Sequence, residues 1–92
     1  MSKITVVHDP SSAQLEEMRV EHWPIWSKEE SEFHWTYDDE EVCYFLEGEV
    51  TVTPEGGGEP VKMGKGDLVT FAAGLSCFWK ISRAVRKHYS LG

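Results

Sequence analysis

Positive charge is what this sequence has least of. Nine Lys and Arg stand against sixteen Asp and Glu, giving a net charge of -7 and an isoelectric point near 5.0. Nucleic acid draws clustered Lys and Arg to its phosphates, so the balance excludes it as a partner. An anionic membrane surface is excluded on the same ground. Cysteine is scarce as well. Cys43 and Cys77 lack the close spacing of a zinc ribbon or a disulfide framework, and reduced thiols are expected. No apolar run approaches the roughly 20 residues of a membrane-spanning helix. Residues 1–20 show no basic segment leading into an apolar one, so no secretory leader is expected and the location expected is cytoplasmic. Heptads and long-period repeats are lacking, and low complexity is confined to the Gly56–Gly58 triplet. Helix is nearly missing too. Only Ser11–Val20 qualifies, with Ser11 and Gln14 at capping-box spacing and Leu15 and Met18 on one side.

What remains is β-forming sequence, enough for one domain over residues 1–92 with a modest core that four tryptophans help to fill. The densest stretch is Glu41-Val-Cys-Tyr-Phe-Leu-Glu-Gly48, continued by Glu49–Thr53. Gly48 interrupts it where a tight turn or bulge lets the chain double back. Ahead of it, Phe33, Trp35 and Tyr37 alternate with His34 and Thr36, which places three aromatics on one face of a strand. Ile4–Val7 reads as a strand ended by the Asp9-Pro10 turn, and Trp23–Trp26 as an edge strand or turn, because Pro24 has no N–H. Ser27–Glu32 reads as a solvated loop and Pro54–Pro60 as a flexible connection. Val61–Met63, Leu68–Phe71, Leu75–Ser82 and Ala84–Leu91 complete the strands. Within the third of these, Cys77, Trp79 and Ile81 share one face, and Phe78 and Lys80 the other. Many short strands with frequent turn signals predict an all-β sandwich or barrel with one short N-terminal helix.

Two spacings carry a family resemblance. Glu41 precedes Gly48 with six residues between, and Gly66-Asp67 is followed by Gly74. Together they resemble the two motifs of the cupin superfamily, whose fold is a small β-barrel or jelly roll. Trp23-Pro-x-Trp26, Phe33-x-Trp-x-Tyr37, Glu41-x-Cys-Tyr44, Gly66-Asp-Leu-Val-x-Phe71 and Lys87-His-Tyr89 are similar to short single-domain cupins, which look like the cupin domain of (S)-ureidoglycine aminohydrolase. The resemblance implies a homodimer, and for metal-binding members a ligand set of His-x-His, Glu and a later His. Here Trp35 and Tyr37 stand at the paired His positions and Cys77 at the later one, leaving Glu41. A tight transition-metal site usually needs three or four ligands, so no metal and no other cofactor is expected.

A barrel of this kind brings Trp35, Tyr37, Glu41, Cys77 and Trp79 to its interior, as the expected ligand-binding residues. A carboxylate walled by aromatics suits a small polar or cationic molecule, through charge, cation–π contact and hydrogen bonds. Two other readings stand beside it. One is a hydrolase or isomerase of ureide metabolism, implied by the resemblance. The other is a non-catalytic assembly protein whose barrel is filled by its own side chains, with Glu41 bonded to Tyr37 or to a basic group.

Overall fold

The computed structural model describes residues 3–92. Strands β1 (Ile4–His8), β2 (Ile25–Lys28), β3 (Ser31–Thr36), β4 (Glu41–Pro54), β5 (Val61–Gly64), β6 (Asp67–Phe71) and β7 (Ser76–Leu91) form one antiparallel sheet of seven strands. Its path runs β1-β6-β4-β7-β2, with β3 also on β7 and β5 also on β4. Among the described residues the single α-helix is α1 (Ser12–Glu17), capped as its sequence predicts: the Ser11 hydroxyl accepts from the Gln14 backbone N–H at 3.1 Å.

Two long strands organise the rest. β7 pairs with β4 along its whole length, with β3 over Ser76–Ile81 and with β2 over Val85–His88. β4 in turn holds β6 beside its first half and β5 beside its second. A straight strand would carry Lys87 about 26 Å from Trp79, eight residues away. In the fold the Lys87 ammonium lies 4.9 Å from the Trp79 ring. The long strands are therefore sharply bent, and the ladder shows where. Its register breaks between Phe45 and Val50, opposite Ile81–Lys87. Gly48 sits in that break at φ 107°, so the interruption read from the sequence is a bulge and not the turn of a hairpin. Bending folds each strand's two halves toward each other, and the sheet becomes a small cupin-type barrel. Phe45, Val50, Val52, Val69, Phe71, Leu75, Trp79, Ile81 and Val85 fill it from all sides.

Two expectations about strand boundaries change. Ser27–Glu32 is not a loop: β2 and β3 claim both its ends, and only Glu29 and Glu30 join them. Leu75–Ser82 and Ala84–Leu91 are one strand, because pairing with β4 carries the chain through Arg83. β1 pairs with β6 of its own chain. The alternation read in 77–81 holds, with Cys77, Trp79 and Ile81 buried and Phe78 and Lys80 exposed.

Candidate functional site

One end of the barrel opens into a cavity of about 320 Å³. β3 delivers Phe33, Trp35 and Thr36 to it, and Tyr37 follows directly. Glu41 comes from the first position of β4, Trp26 from β2, and Trp79, Lys87, Tyr89 and Leu91 from β7. Asp38 and Asp39, in the turn before β4, complete the wall. The size lies at the small end of the range for small-molecule sites.

An ion pair occupies the cavity wall. Lys87 donates from Nζ to Glu41 Oε2 at 2.9 Å, with the lysine side chain 6% and the glutamate 13% exposed. Removing two charges from water is expensive, and the partners offset it. Lys87 also donates to Cys43 Sγ at 3.1 Å, and the Cys43 thiol donates to Glu41 Oε2 at 3.0 Å, closing a triangle of three groups. Strand parity explains it. Glu41 and Cys43 are two apart on β4 and share a face, while Lys87 lies on β7, which pairs with that half of β4. Aromatic rings surround the ammonium: Trp79 at 4.9 Å, Trp26 at 5.0 Å, Phe45 at 5.9 Å and Phe71 at 6.0 Å from ring centre to Nζ. Each such contact stabilises a desolvated cation by up to about 2 kcal/mol.

Of the five residues expected at the site, Tyr37, Glu41 and Trp79 are brought together on the cavity and buried or nearly so. Tyr37 stacks on Phe71 at 4.7 Å, and Trp79 on Phe33 at 5.7 Å. Trp35 also lines the cavity but stands at its mouth, 51% exposed, because it lies on an outer stretch of β3. Cys77 does not line it. Its side chain is fully buried and its thiol donates to the Trp35 carbonyl at 3.6 Å, which turns it into the core between β3 and β7. Glu41 is bonded to a basic group, Lys87, as the filled-barrel reading had it. Lys87 was missed as a site residue. The only signal was its parity in Val85-Arg-Lys-His-Tyr89, which puts Val85, Lys87 and Tyr89 on one face, and a lysine is seldom buried. His34 points away from this face and meets Glu55 at 2.8 Å.

Burial governs the ionisation of the neighbouring groups. Desolvation pushes the Cys43 thiol from its ordinary 9.0 up to about 12; the nearby Lys87 charge opposes the shift and the Glu41 carboxylate adds to it. Desolvation likewise pushes Cys77 up to about 11. Tyr37 is raised well above the usual phenol range, by burial first and then by Cys43 and Glu41. The Trp79 indole lies close enough to favour the phenolate slightly. Yet its buried N–H makes no hydrogen bond of acceptable geometry among the described residues.

An alkaline titration follows from these shifts. Each folded-state value lies above its unfolded one, so unfolding releases protons once the solution passes about pH 9. The stability these groups contribute is present in full below that pH and is lost as pH rises toward 11 and 12. The urea midpoint is expected to fall from about pH 9 to about pH 10.5. A Cys43→Ala/Cys77→Ala variant is expected to fall less steeply over the same interval. An equal slope in the two proteins would show that the thiols do not titrate as described.

A family model for the EutQ-like cupin domain matches residues 15–89. The chain belongs to the EutQ-like cupin family. Among solved structures, this cupin superposes on a DUF861 family protein from Thermotoga maritima with a TM-score of 0.92, at 52% identity over 97% of this chain and 99% of that one. A DUF861 family protein from Pseudomonas syringae pv. tomato gives 0.66 at 28% identity, over 74% of this chain and 29% of the other. The EutQ protein of Clostridium difficile gives 0.65 at 21% identity, over 73% and 52%, a likeness of fold. No curated protein matches the sequence.

A metal of the kind many cupins hold does not fit the residues of this site. The Lys87 ammonium takes the carboxylate oxygen of Glu41, and like charge would oppose a cation beside it. Tyr37 and the exposed Trp35 stand at the positions implied for paired imidazoles. Among the described residues, no three His, Cys, Asp or Glu side chains are grouped to hold a metal ion.

Proposed function

We propose that this EutQ-like cupin binds a small polar molecule in the cavity around Glu41 and Lys87, without a tightly bound metal. The observation that carries the reading is a buried ion pair in the wall of an open aromatic cavity rather than inside a closed core. A ligand there meets flat apolar walls, a donor and an acceptor fixed 2.9 Å apart, and the carboxylates of Asp38 and Asp39. The lining carries three carboxylates and Lys87 as its cation. That favours ligands with hydrogen-bond donors, hydroxyl or amino, over anions.

A panel of polyols, amines and ureides tests the reading by thermal shift and tryptophan fluorescence, since Trp26, Trp35 and Trp79 all line the cavity. A ligand at a hundred times its Kd is expected to stabilise the protein by about 2.7 kcal/mol, with the fluorescence change lost in Trp79→Phe. No shift with any compound would remove the binding reading and leave an assembly role. Turnover of a ureide, as in (S)-ureidoglycine aminohydrolase, draws support from family likeness alone. Ureidoglycine turnover unchanged in Glu41→Gln would take Glu41 out of that reaction.

A further inference from the structure

We infer that Lys87 captures small hydroxylated aldehydes or ketones as a reversible imine, with Glu41 carrying the proton. The inference rests on the pocket-binding reading above and narrows its ligand to a chemical class. Four observations meet at one nitrogen. Lys87 is among the residues that line a cavity open to solvent, which a small molecule can enter. Its side chain is otherwise buried, 6% exposed, so a molecule captured there reacts away from bulk water. A carboxylate stands 2.9 Å away, within reach for direct proton transfer. Aromatic rings line the approach and hold bulk water back.

The step balances without any further reagent. The ammonium passes one proton to Glu41. The freed lone pair on Nζ attacks the carbonyl carbon, and the carbonyl π electrons move to oxygen, which takes up a second proton from nitrogen. Glu41 then returns its proton to the resulting hydroxyl, and water leaves as the nitrogen lone pair closes the C=N bond. In sum, an ammonium and a carbonyl compound give a protonated imine and one water. Charge is conserved, so the iminium nitrogen inherits the ion pair with Glu41 and the faces of Trp26 and Trp79 that held the ammonium. The site thus stabilises product and reactant nitrogen by the same contacts, and the proton transfer is the part that Glu41 speeds. The carboxylates of Asp38 and Asp39, on the same cavity, accept from the hydroxyl groups of the captured molecule.

The full chain is incubated with glycolaldehyde and cyanoborohydride, and the reduced tag is quantified at each of the six lysines. A purely structural Lys87, being the most shielded, would be tagged slowest. Imine capture predicts the reverse, with Lys87 tagged at least about tenfold faster than the exposed lysines, because a bound carbonyl is presented at high effective concentration. Glu41→Gln is expected to slow tagging at Lys87 alone, on the order of 100-fold. Lys87→Arg, which keeps a cation beside the carboxylate but has no amine to form an imine, is expected to lose the fast phase. A polyol that binds the cavity is expected to slow tagging at Lys87 and nowhere else. Tagging at Lys87 no faster than at the other five overturns the inference. If a panel compound still stabilises the protein in that case, the pocket reading stands; if none does, both fall.

Discussion

Replacing Lys87 by Met is expected to destabilise the protein by about 3 kcal/mol, and replacing Glu41 by Leu in the same chain to restore most of the loss. The single change leaves the Glu41 carboxylate, 13% exposed, without its cation and without water enough to replace it. It also removes the donor to Cys43 Sγ, while the Cys43 thiol, raised to about 12, stays protonated and cannot supply a charge. The double change removes both charges from a site already lined by Trp26, Phe45, Phe71 and Trp79, where apolar side chains pack without penalty. Urea unfolding of the four proteins gives the coupling energy directly. A double variant no more stable than Lys87→Met would mean that the pair is not the unit described. A recovered double variant that no longer binds any ligand would show the pair kept for what it does rather than for stability.

Gly48→Ala is expected to be at least as severe, about 4 kcal/mol, through the backbone instead of charge. A Cβ at this position would stand 2.6 Å from the Ala84 carbonyl oxygen and 2.8 Å from the Val85 Cα. Both are main-chain atoms of β7, so no rotamer change relieves the contact. The φ of 107° adds strain that only glycine escapes. Gly64 meets the same crowding from the other side, its own Cβ position lying 2.6 Å from the Gly48 carbonyl oxygen. Gly57→Ala is the control. It also has positive φ, 89°, but nothing lies within 4 Å of its Cβ position, and a loss of about 1 kcal/mol is expected. Equal losses at the two sites, read as thermal midpoints, would refute the role given to the close approach of β4 and β7.

The two predictions mark what the sequence made legible and what it did not. Glu41 and Gly48 were readable as a spaced pair, and the fold explains the spacing: one is at the cavity and the other at the bulge that bends the strand back over it. The aromatic face of Phe33, Trp35 and Tyr37 was readable because side chains alternate along a strand, and all three line the cavity. Depth was not readable. Parity places Cys77 and Trp79 on one face, yet only Trp79 reaches the cavity, since Cys77 lies beyond it against the Trp35 carbonyl. Nor does Trp35's share of that face tell that it ends at the mouth. Lys87 was hidden for another reason. A lysine in a strand normally reads as a solvent-facing charge, and its burial depends on a carboxylate 46 positions earlier that sequence spacing does not join to it. Ser27–Glu32 was misread because its acidic composition suggests solvation, whereas edge strands such as β2 and β3 carry charge readily.

The bent pair of long strands has a kinetic consequence. β4 meets β7 from Glu41 opposite Leu91 to Pro54 opposite Cys77, so the ladder at the heart of the barrel closes a loop of many tens of residues at one end. β2 and β3 have β7 as their partner, and β4 depends on it for one whole edge. β2 and β3 thus have no strand to pair with before β7 arrives. Chains dominated by such distant pairings fold in milliseconds to seconds rather than microseconds. Trp26 and Trp79, whose rings meet edge to face at 6.0 Å only when the bend is made, would report that moment in stopped-flow fluorescence.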